Sequence, residues 1–194
     1  MLTRIIFIII IAVIVLQRTL EIHLSYRNAL YILSQGGQEH SNNLLNIVKM
    51  LQVSWLLAMI VEVLYLNRPF IPALAAGALL ATITGQVLRY LSMHSLGWRW
   101  TLTIMTISHL PVVDSGIYRH LRHPNWLGVT LEIAGLPLIH GAYFTASFFS
   151  LANVLLMIKR IESEEHALSK NTNYGYAFAD KPRFIPNCLR KSRR

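Results

Sequence analysis

Long apolar runs separated by short polar breaks dominate the first half of the chain. Residues 2–16 are almost continuously apolar, with Arg4 as their charge, and the apolar character persists to about residue 24. Because no small-residue cleavage site follows, this run predicts a first membrane-spanning helix rather than a signal peptide. Residues 25–43 are polar and contain Gly36-Gly37 and an SNN triplet, so they are predicted to be a loop.

Two further apolar runs are long enough to cross a bilayer, which takes about 20 residues. The first covers residues 44–66, with Lys49 near one end and Glu62 near the other. Asn67-Arg68-Pro69 then predicts a break, because proline cannot continue a hydrogen-bonded helix. The second run, residues 70–88, is rich in Ala, Gly and Thr. Small residues at this density predict close packing against a neighbouring helix.

The second half mixes interfacial and apolar segments. Residues 89–107 are aromatic and β-branched, and periodicity leaves a short strand over 101–107 open. Residues 112–116 predict a turn. Apolar segments 125–139 and 144–158 are each short for a full span and predict a helical hairpin, and residues 159–170 continue its second arm as a charged helix.

These elements predict an all-α integral membrane protein with about five transmembrane helices, the last two forming a hairpin. The whole chain, 1–194, is predicted to be one membrane domain. Three transmembrane helices occupy 1–88, a cytoplasmic or interfacial segment occupies 89–128, the hairpin occupies 125–160, and a cytoplasmic helix and tail occupy 161–194.

Composition agrees with a membrane protein. The chain is 54% hydrophobic and 14% charged, whereas about a quarter of residues are charged in soluble domains. The net charge of +9 fits either nucleic-acid binding or the positive-inside bias of membrane proteins, and the apolar runs favour the second. No nucleic-acid partner is therefore expected. Positive charge around Arg119 and Arg122 and in residues 190–194 predicts that both regions face the cytoplasm. The single cysteine, Cys188, excludes a Cys-rich metal site, and no metal is expected.

The sequence contains no Rossmann glycine motif, no Walker loop, no H-E-x-x-H zinc-binding motif and no G-x-S-x-G nucleophile elbow. Two other polar motifs are candidates for chemistry. His123-Pro124 opens a helix, whose first N–H groups can receive an anionic group. Arg160 and Glu164 are four residues apart and share a helical face. Each motif has a simpler interpretation, as a headgroup contact or an exposed salt bridge. Glu62 and Glu132 lie within apolar segments, where they are either functional, at the interface, or paired with a neighbour such as Arg89.

Taken in order, these motifs resemble the isoprenylcysteine carboxyl methyltransferases and their phospholipid methyltransferase relatives. The family pattern V-x-S-G-x-Y…R-H-P-x-Y-x-G stands here as Val113 to Tyr118, then Arg122 to Gly128, with Trp126 in place of the usual Tyr. The element R-x-x-x-E-E runs from Arg160 to Glu165. A tail with Tyr174, Tyr176 and a P-R-F-I-P run at 182–186 completes the resemblance, which covers about half the chain.

The resemblance implies an S-adenosylmethionine-dependent methyltransferase with a cytoplasmic cofactor region built from the segment before the hairpin and the C-terminal tail. The implied acceptor-side residue, both catalytic and substrate-binding, is Arg160. The implied cofactor-binding residues are Leu110, Pro111, Val112, Val113, Tyr118, His123, Pro124, Asn125, Trp126 and Glu164.

The residue types suit that chemistry. A carboxylate such as Glu164 can pair with the cofactor's ammonium group. A guanidinium binds a carboxylate in a bidentate geometry, so Arg160 favours a carboxylate acceptor. The predicted partners are membrane lipids and a lipophilic substrate that enters from the bilayer. Phospholipid amine methylation stays open as an alternative reaction, and a membrane scaffold or small transporter as a non-enzymatic one. The sequence does not indicate an oligomeric state.

Overall fold

The computed structural model describes residues 2–40, 44–66, 68, 70–108 and 110–184. The described chain is mainly helical. Its order is α1 (Leu2–Ser34), β1 (Gln38–His40), α2 (Leu44–Tyr65), α3 (Pro72–Leu96), β2 (Ile104–Thr106), α4 (Pro124–Leu138), α5 (Tyr143–Asn171) and α6 (Tyr174–Ala177). Short 3-10 helices stand at Gly97–Arg99 and Gly116–Arg119.

Four of these helices, α1, α2, α3 and α5, are long and apolar enough to cross a membrane. The chain is therefore a multi-pass membrane protein. The first arm of the predicted hairpin, α4, has 15 residues, fewer than the ~20 that a full span requires. That α4 forms a fifth span stays a prediction, as does the orientation of the helices across the bilayer.

The first helix is longer than the sequence pattern suggests, and the prediction of a loop over residues 25–43 is wrong for its first part. α1 continues to Ser34 and β1 follows at Gln38. Two polar residues of this helical extension are buried against another part of the protein. The Asn28 amide donates a hydrogen bond to the Trp100 carbonyl (2.8 Å), and the Ser25 hydroxyl accepts one from the Leu102 amide (2.8 Å).

A two-stranded antiparallel sheet joins the α1–α2 connection to the segment after α3, so the fold is not purely helical. β1 pairs with β2 in a register that places Gln38 opposite Thr106 and His40 opposite Ile104. The His40 imidazole also lies 2.8 Å from the Thr106 hydroxyl. The strand left open for residues 101–107 thus exists, but it covers only three residues.

Helices α3 and α4 approach closely because glycines face each other. A Cβ atom at Gly128 would lie 2.6 Å from the Gly85 carbonyl oxygen, and one at Gly85 would lie 2.7 Å from the Gly128 carbonyl oxygen. Two helical turns later, Gly135 packs against the backbone of Ala78. The predicted role of the small residues in α3 is confirmed, and this packing fixes where α4 begins.

A network of four charged side chains connects α1, α3 and α4, and all of them except Arg18 are buried. Arg18 binds Glu21 (2.8 Å) and Glu132 (2.5 Å), while Arg89 binds Glu21 and lies 3.6 Å from Glu132. The side chain of Glu132 is fully buried. Of the three interpretations of Glu132, the pairing with Arg89 is the one observed. Opposite charges alternate in this network, which compensates their burial at the depth of the apolar helices.

Some predicted features lie outside the described residues. These are the break residues Asn67 and Pro69, the tail positions Ile185 and Pro186, Cys188 and the basic residues 190–194.

Candidate functional site

Two neighbouring cavities share several lining residues in the part of the protein formed by the segment after α3, the start of α4, the end of α5 and the tail. The first has a volume of about 900 Å³. Leu110, Pro111, Val112 and Val113, all predicted cofactor contacts, line one wall of it. Aromatic residues of the tail, Tyr174 and Phe178, line another wall.

The S-G-x-Y motif brings Tyr118 to the boundary between the cavities. Gly116 has a φ angle of +59°, which favours glycine, and a side chain at this position would collide with Ser95. The 3-10 helix that begins there directs Tyr118 inward, where it lines both cavities. Burial, and then the nearby carboxylate of Glu164, raises the pKa of the Tyr118 hydroxyl, which is therefore a neutral hydrogen-bonding group at physiological pH.

The second cavity, with a volume of about 1040 Å³, contains the predicted acceptor residue Arg160. Arg160 is only 5% exposed, and its guanidinium donates a hydrogen bond to the Leu102 carbonyl. Asn125 and Trp126, which were predicted to contact the cofactor with Leu110–Val113, line this second cavity and not the first. Helices α1 and α2 close it on the opposite side with residues that include Arg18, Glu21, Leu45, Val48 and Lys49.

Glu164 lines both cavities. Within the described part of the chain, its carboxylate forms no hydrogen bond and no salt bridge, although it lies close enough to Arg160 for electrostatic attraction. Arg160 and Glu164 therefore do not form the exposed surface salt bridge that was the simpler interpretation of this motif. A half-buried carboxylate that forms no hydrogen bond among the described residues, in the wall shared by two cavities, is available to a cationic ligand.

His123 contributes to the site through the neighbouring acid, Glu165. Its imidazole lies 3.0 Å from a Glu165 carboxylate oxygen, and Arg183 of the tail binds the same carboxylate with two hydrogen bonds of 2.6 and 3.1 Å. The Tyr174 hydroxyl donates a longer bond (3.4 Å) to it, and burial raises the pKa of this hydroxyl. Glu165 thus fastens the tail to α4 and α5.

Backbone hydrogen bonds complete this attachment of the tail. The amides of Arg122 and His123 donate to the carbonyls of Pro182 (3.0 Å) and Arg183 (3.1 Å). The Arg122 side chain donates to the Lys181 carbonyl, and Lys181 donates to the Tyr118 carbonyl. The His123 amide is consequently occupied by protein. Pro124 is buried as the first residue of α4 and lines neither cavity.

The sequence motifs did not point to the residues that α1, α2 and β2 contribute. Thr101, Thr103 and Ile104 line both cavities and come from a segment interpreted only as interfacial. The buried hydroxyl of Thr103 and the buried side-chain oxygen of Asn125 have no hydrogen-bond partner among the described residues. Such atoms are uncommon in proteins, and at a cavity wall they are available to a water molecule or a ligand.

Comparison with known proteins agrees with this architecture. The model of the isoprenylcysteine carboxyl methyltransferase family matches residues 78–170. That range runs from within α3 to the end of α5 and includes Tyr118, His123, Arg160 and Glu164.

Two curated bacterial relatives extend the similarity over most of the chain. The uncharacterized protein YpbQ of Bacillus subtilis is 31% identical over 161 residues, which cover 82% of this chain and 95% of the relative. An uncharacterized protein of Haemophilus influenzae is 25% identical over 153 residues, which cover 78% of this chain and 88% of the relative. The resemblance recognised from the motifs is confirmed: the chain belongs to the isoprenylcysteine carboxyl methyltransferase family.

Proposed function

We propose that the protein transfers the methyl group of S-adenosylmethionine to the carboxylate of a lipophilic acceptor, in the manner of an isoprenylcysteine methyltransferase. The observation that carries this proposal is the position of Glu164 at the junction of two cavities, of which the second contains Arg160. A carboxylate suited to a cationic cofactor therefore lies in the wall shared by both cavities, and a guanidinium suited to an anionic acceptor lines the second.

The first cavity suits the cofactor. Its walls combine the apolar segment Leu110–Val113 with aromatic side chains and the Glu164 carboxylate, a mixture typical of small-molecule sites. Glu164 would hold the ammonium group, an interaction worth roughly 1.5–3 kcal/mol for a charged hydrogen bond. The aromatic faces of Tyr118 and Phe178 suit an adenine ring or a sulfonium cation. When bound, S-adenosylmethionine supplies an electrophilic methyl group.

The second cavity suits the acceptor. Arg160 is held by the Leu102 carbonyl through one of its nitrogens, and its remaining N–H groups can bind a carboxylate. A carboxylate is already a nucleophile, so the protein needs no base to deprotonate it. Alignment of the acceptor and exclusion of water by the buried walls would supply most of the rate enhancement. Burial of an acceptor anion is costly, and Arg160 would offset that cost.

The amine alternative is less well supported by this arrangement. A protonated phospholipid amine would be repelled by Arg160, and the second cavity also contains Arg18, Lys49, Arg89 and Arg122. A scaffold or transporter has no need of a half-buried, unpartnered carboxylate between two cavities.

The test uses purified protein in detergent or lipid nanodiscs. Cofactor binding is measured by calorimetry with S-adenosylhomocysteine, and labelled methyl transfer is measured to an S-prenylated cysteine with a free carboxylate and to an aminophospholipid. We expect binding, together with transfer to the carboxylate. Transfer to the amine alone would identify the alternative reaction, and absence of cofactor binding would refute both enzymatic functions.

A further inference from the structure

The Thr103 hydroxyl is a polar group in the wall that the two cavities share. It is buried and has no hydrogen-bond partner among the described residues, although its side chain lines both cavities. Leaving a buried hydroxyl unpaired costs about 1–3 kcal/mol. A residue without a role in packing or binding would not be expected to bear that cost next to a cavity.

The segment that carries Thr103 also holds the acceptor-side guanidinium. The carbonyl of the preceding residue, Leu102, accepts the hydrogen bond from Arg160, and the Leu102 amide donates to Ser25 of α1. The Thr101 hydroxyl donates to the Thr103 carbonyl at 2.7 Å. The backbone around Thr103 is therefore fixed at several points, and the position of its hydroxyl is coupled to that of Arg160.

We infer that Thr103 is a second acceptor-binding residue, whose hydroxyl donates a hydrogen bond to the acceptor carboxylate that Arg160 also binds. This inference rests on the proposed function and adds a specificity: the acceptor must present two oxygen atoms to the guanidinium, and one of them must also accept a hydrogen bond from the hydroxyl. Two contacts on one group also fix its rotation, so that a chosen oxygen is directed toward the cofactor cavity. Thr103 thus acts as a positioning residue in addition to a binding one.

The chain provides a matched control in Thr101. Thr101 lines the same two cavities and is of the same type, but its hydroxyl is satisfied by the Thr103 carbonyl. The variants to compare are Thr103→Val, Thr103→Ser and Thr101→Val, since valine keeps the shape of threonine and serine keeps its hydroxyl. The measurements are kcat/KM for the S-prenylated cysteine carboxylate, binding of that compound in the presence of S-adenosylhomocysteine, and the melting temperature.

For Thr103→Val we expect kcat/KM and acceptor affinity to fall about tenfold, which corresponds to one hydrogen bond of about 1.4 kcal/mol. Thr103→Ser should retain most of both, cofactor affinity should be unchanged, and Thr101→Val should have the smaller effect on the acceptor. The melting temperature of Thr103→Val should be unchanged or raised, because an unpaired hydroxyl is removed. A merely structural Thr103 predicts a lowered melting temperature.

Failure of the inference about Thr103 can be distinguished from failure of the proposed function. If the wild-type protein binds and methylates the carboxylate and Thr103→Val retains the wild-type kcat/KM and acceptor affinity, the inference is wrong and the proposed function stands. A loss of cofactor affinity in Thr103→Val would assign the hydroxyl to the cofactor instead. If the wild-type protein neither binds nor methylates the carboxylate, the proposed function fails and the inference fails with it.

Discussion

The carboxylate of Glu62 on α2 caps the first turn of α5 at Thr145. It accepts hydrogen bonds from the Thr145 amide and hydroxyl, both 2.7 Å long, and a third from the Phe144 amide at 3.0 Å. A helix leaves its first amides without partners, and a negative charge there is favoured by the helix dipole. Of the interpretations open for this membrane-embedded acid, the structure supports the pairing with a neighbouring element.

Removing that cap should destabilise the protein without altering its chemistry. We expect Glu62→Ala to lower the free energy of unfolding by about 2 kcal/mol, because buried amides lose a charged acceptor. The exposed Glu39 of β1 provides the control, and Glu39→Ala should have little effect. Thermal unfolding in detergent measures both. Equal melting temperatures for the two variants would contradict the capping role.

The glycine contact between α3 and α4 gives a second stability prediction. Gly128→Ala should destabilise the fold, because its Cβ atom would lie 2.6 Å from the Gly85 carbonyl oxygen. Gly77→Ala is the matched control, since nothing lies within 4 Å of a Cβ at this position of α3. The control should be neutral or stabilising by about 1 kcal/mol, the helix preference of alanine over glycine. Unfolding of Gly128→Ala at the wild-type temperature would show that the helices can separate at no cost.

Glu164 should be required for cofactor binding. Glu164→Gln preserves the shape of the side chain and removes its charge, so S-adenosylhomocysteine should bind about tenfold or more weakly. Exposed Glu162 on the same helix is the control. Calorimetry on both variants tests the role. An unchanged dissociation constant for Glu164→Gln would mean that this carboxylate does not face the ligand.

Arg160 should distinguish a carboxylate acceptor from an amine. Arg160→Lys keeps the charge but loses the bidentate geometry, so transfer to the prenylated cysteine carboxylate should fall while cofactor affinity changes little. Arg160→Ala should lower transfer to this carboxylate still further. If the acceptor were an amine, removal of the positive charge would leave transfer unchanged or increase it. Labelled methyl transfer by the three proteins to both acceptors provides the comparison, and full carboxylate methylation by Arg160→Ala would refute the assigned role.

The attachment of the tail through Glu165 should control access to the first cavity. Glu165→Gln weakens the contacts with Arg183 and His123, so the tail should detach more often. We expect faster cleavage of the tail by trypsin and faster release of bound S-adenosylhomocysteine, with Glu162→Gln as the control. Wild-type rates of both processes would indicate that backbone hydrogen bonds alone hold the tail.

The long helices could be predicted from the sequence because hydrophobic length is a local property. Residues 44–66 were predicted as a span, and α2 covers Leu44–Tyr65. The end of α1 was missed because the partners of Ser25 and Asn28 are more than 60 residues away along the chain. Their polarity therefore resembles that of a solvent-exposed loop.

Some residues of the candidate site could likewise be predicted from the sequence, and others could not. The motifs identified Tyr118, His123, Arg160 and Glu164, which the structure gathers at the two cavities. They did not separate Asn125 and Trp126 from the other expected cofactor contacts, because the direction of a side chain at a helix start depends on how that helix packs. The unpaired hydroxyl of Thr103 could not be recognised at all, since being unpaired is a property of the folded surroundings.

The buried charges that join α1 to α3 and α4 have a consequence for biogenesis. Arg18 and Glu21 pair with each other at 2.8 Å, but each also binds a residue that is synthesised much later, Glu132 and Arg89 respectively. Charged groups are costly in the bilayer when they have fewer partners, so α1 is not expected to occupy its final position while the nascent chain ends at α2. We therefore expect the first helix to stay near the insertion machinery or the lipid headgroups until α4 has emerged. Insertion intermediates that end before Glu132 should crosslink α1 to that machinery, and longer ones should not.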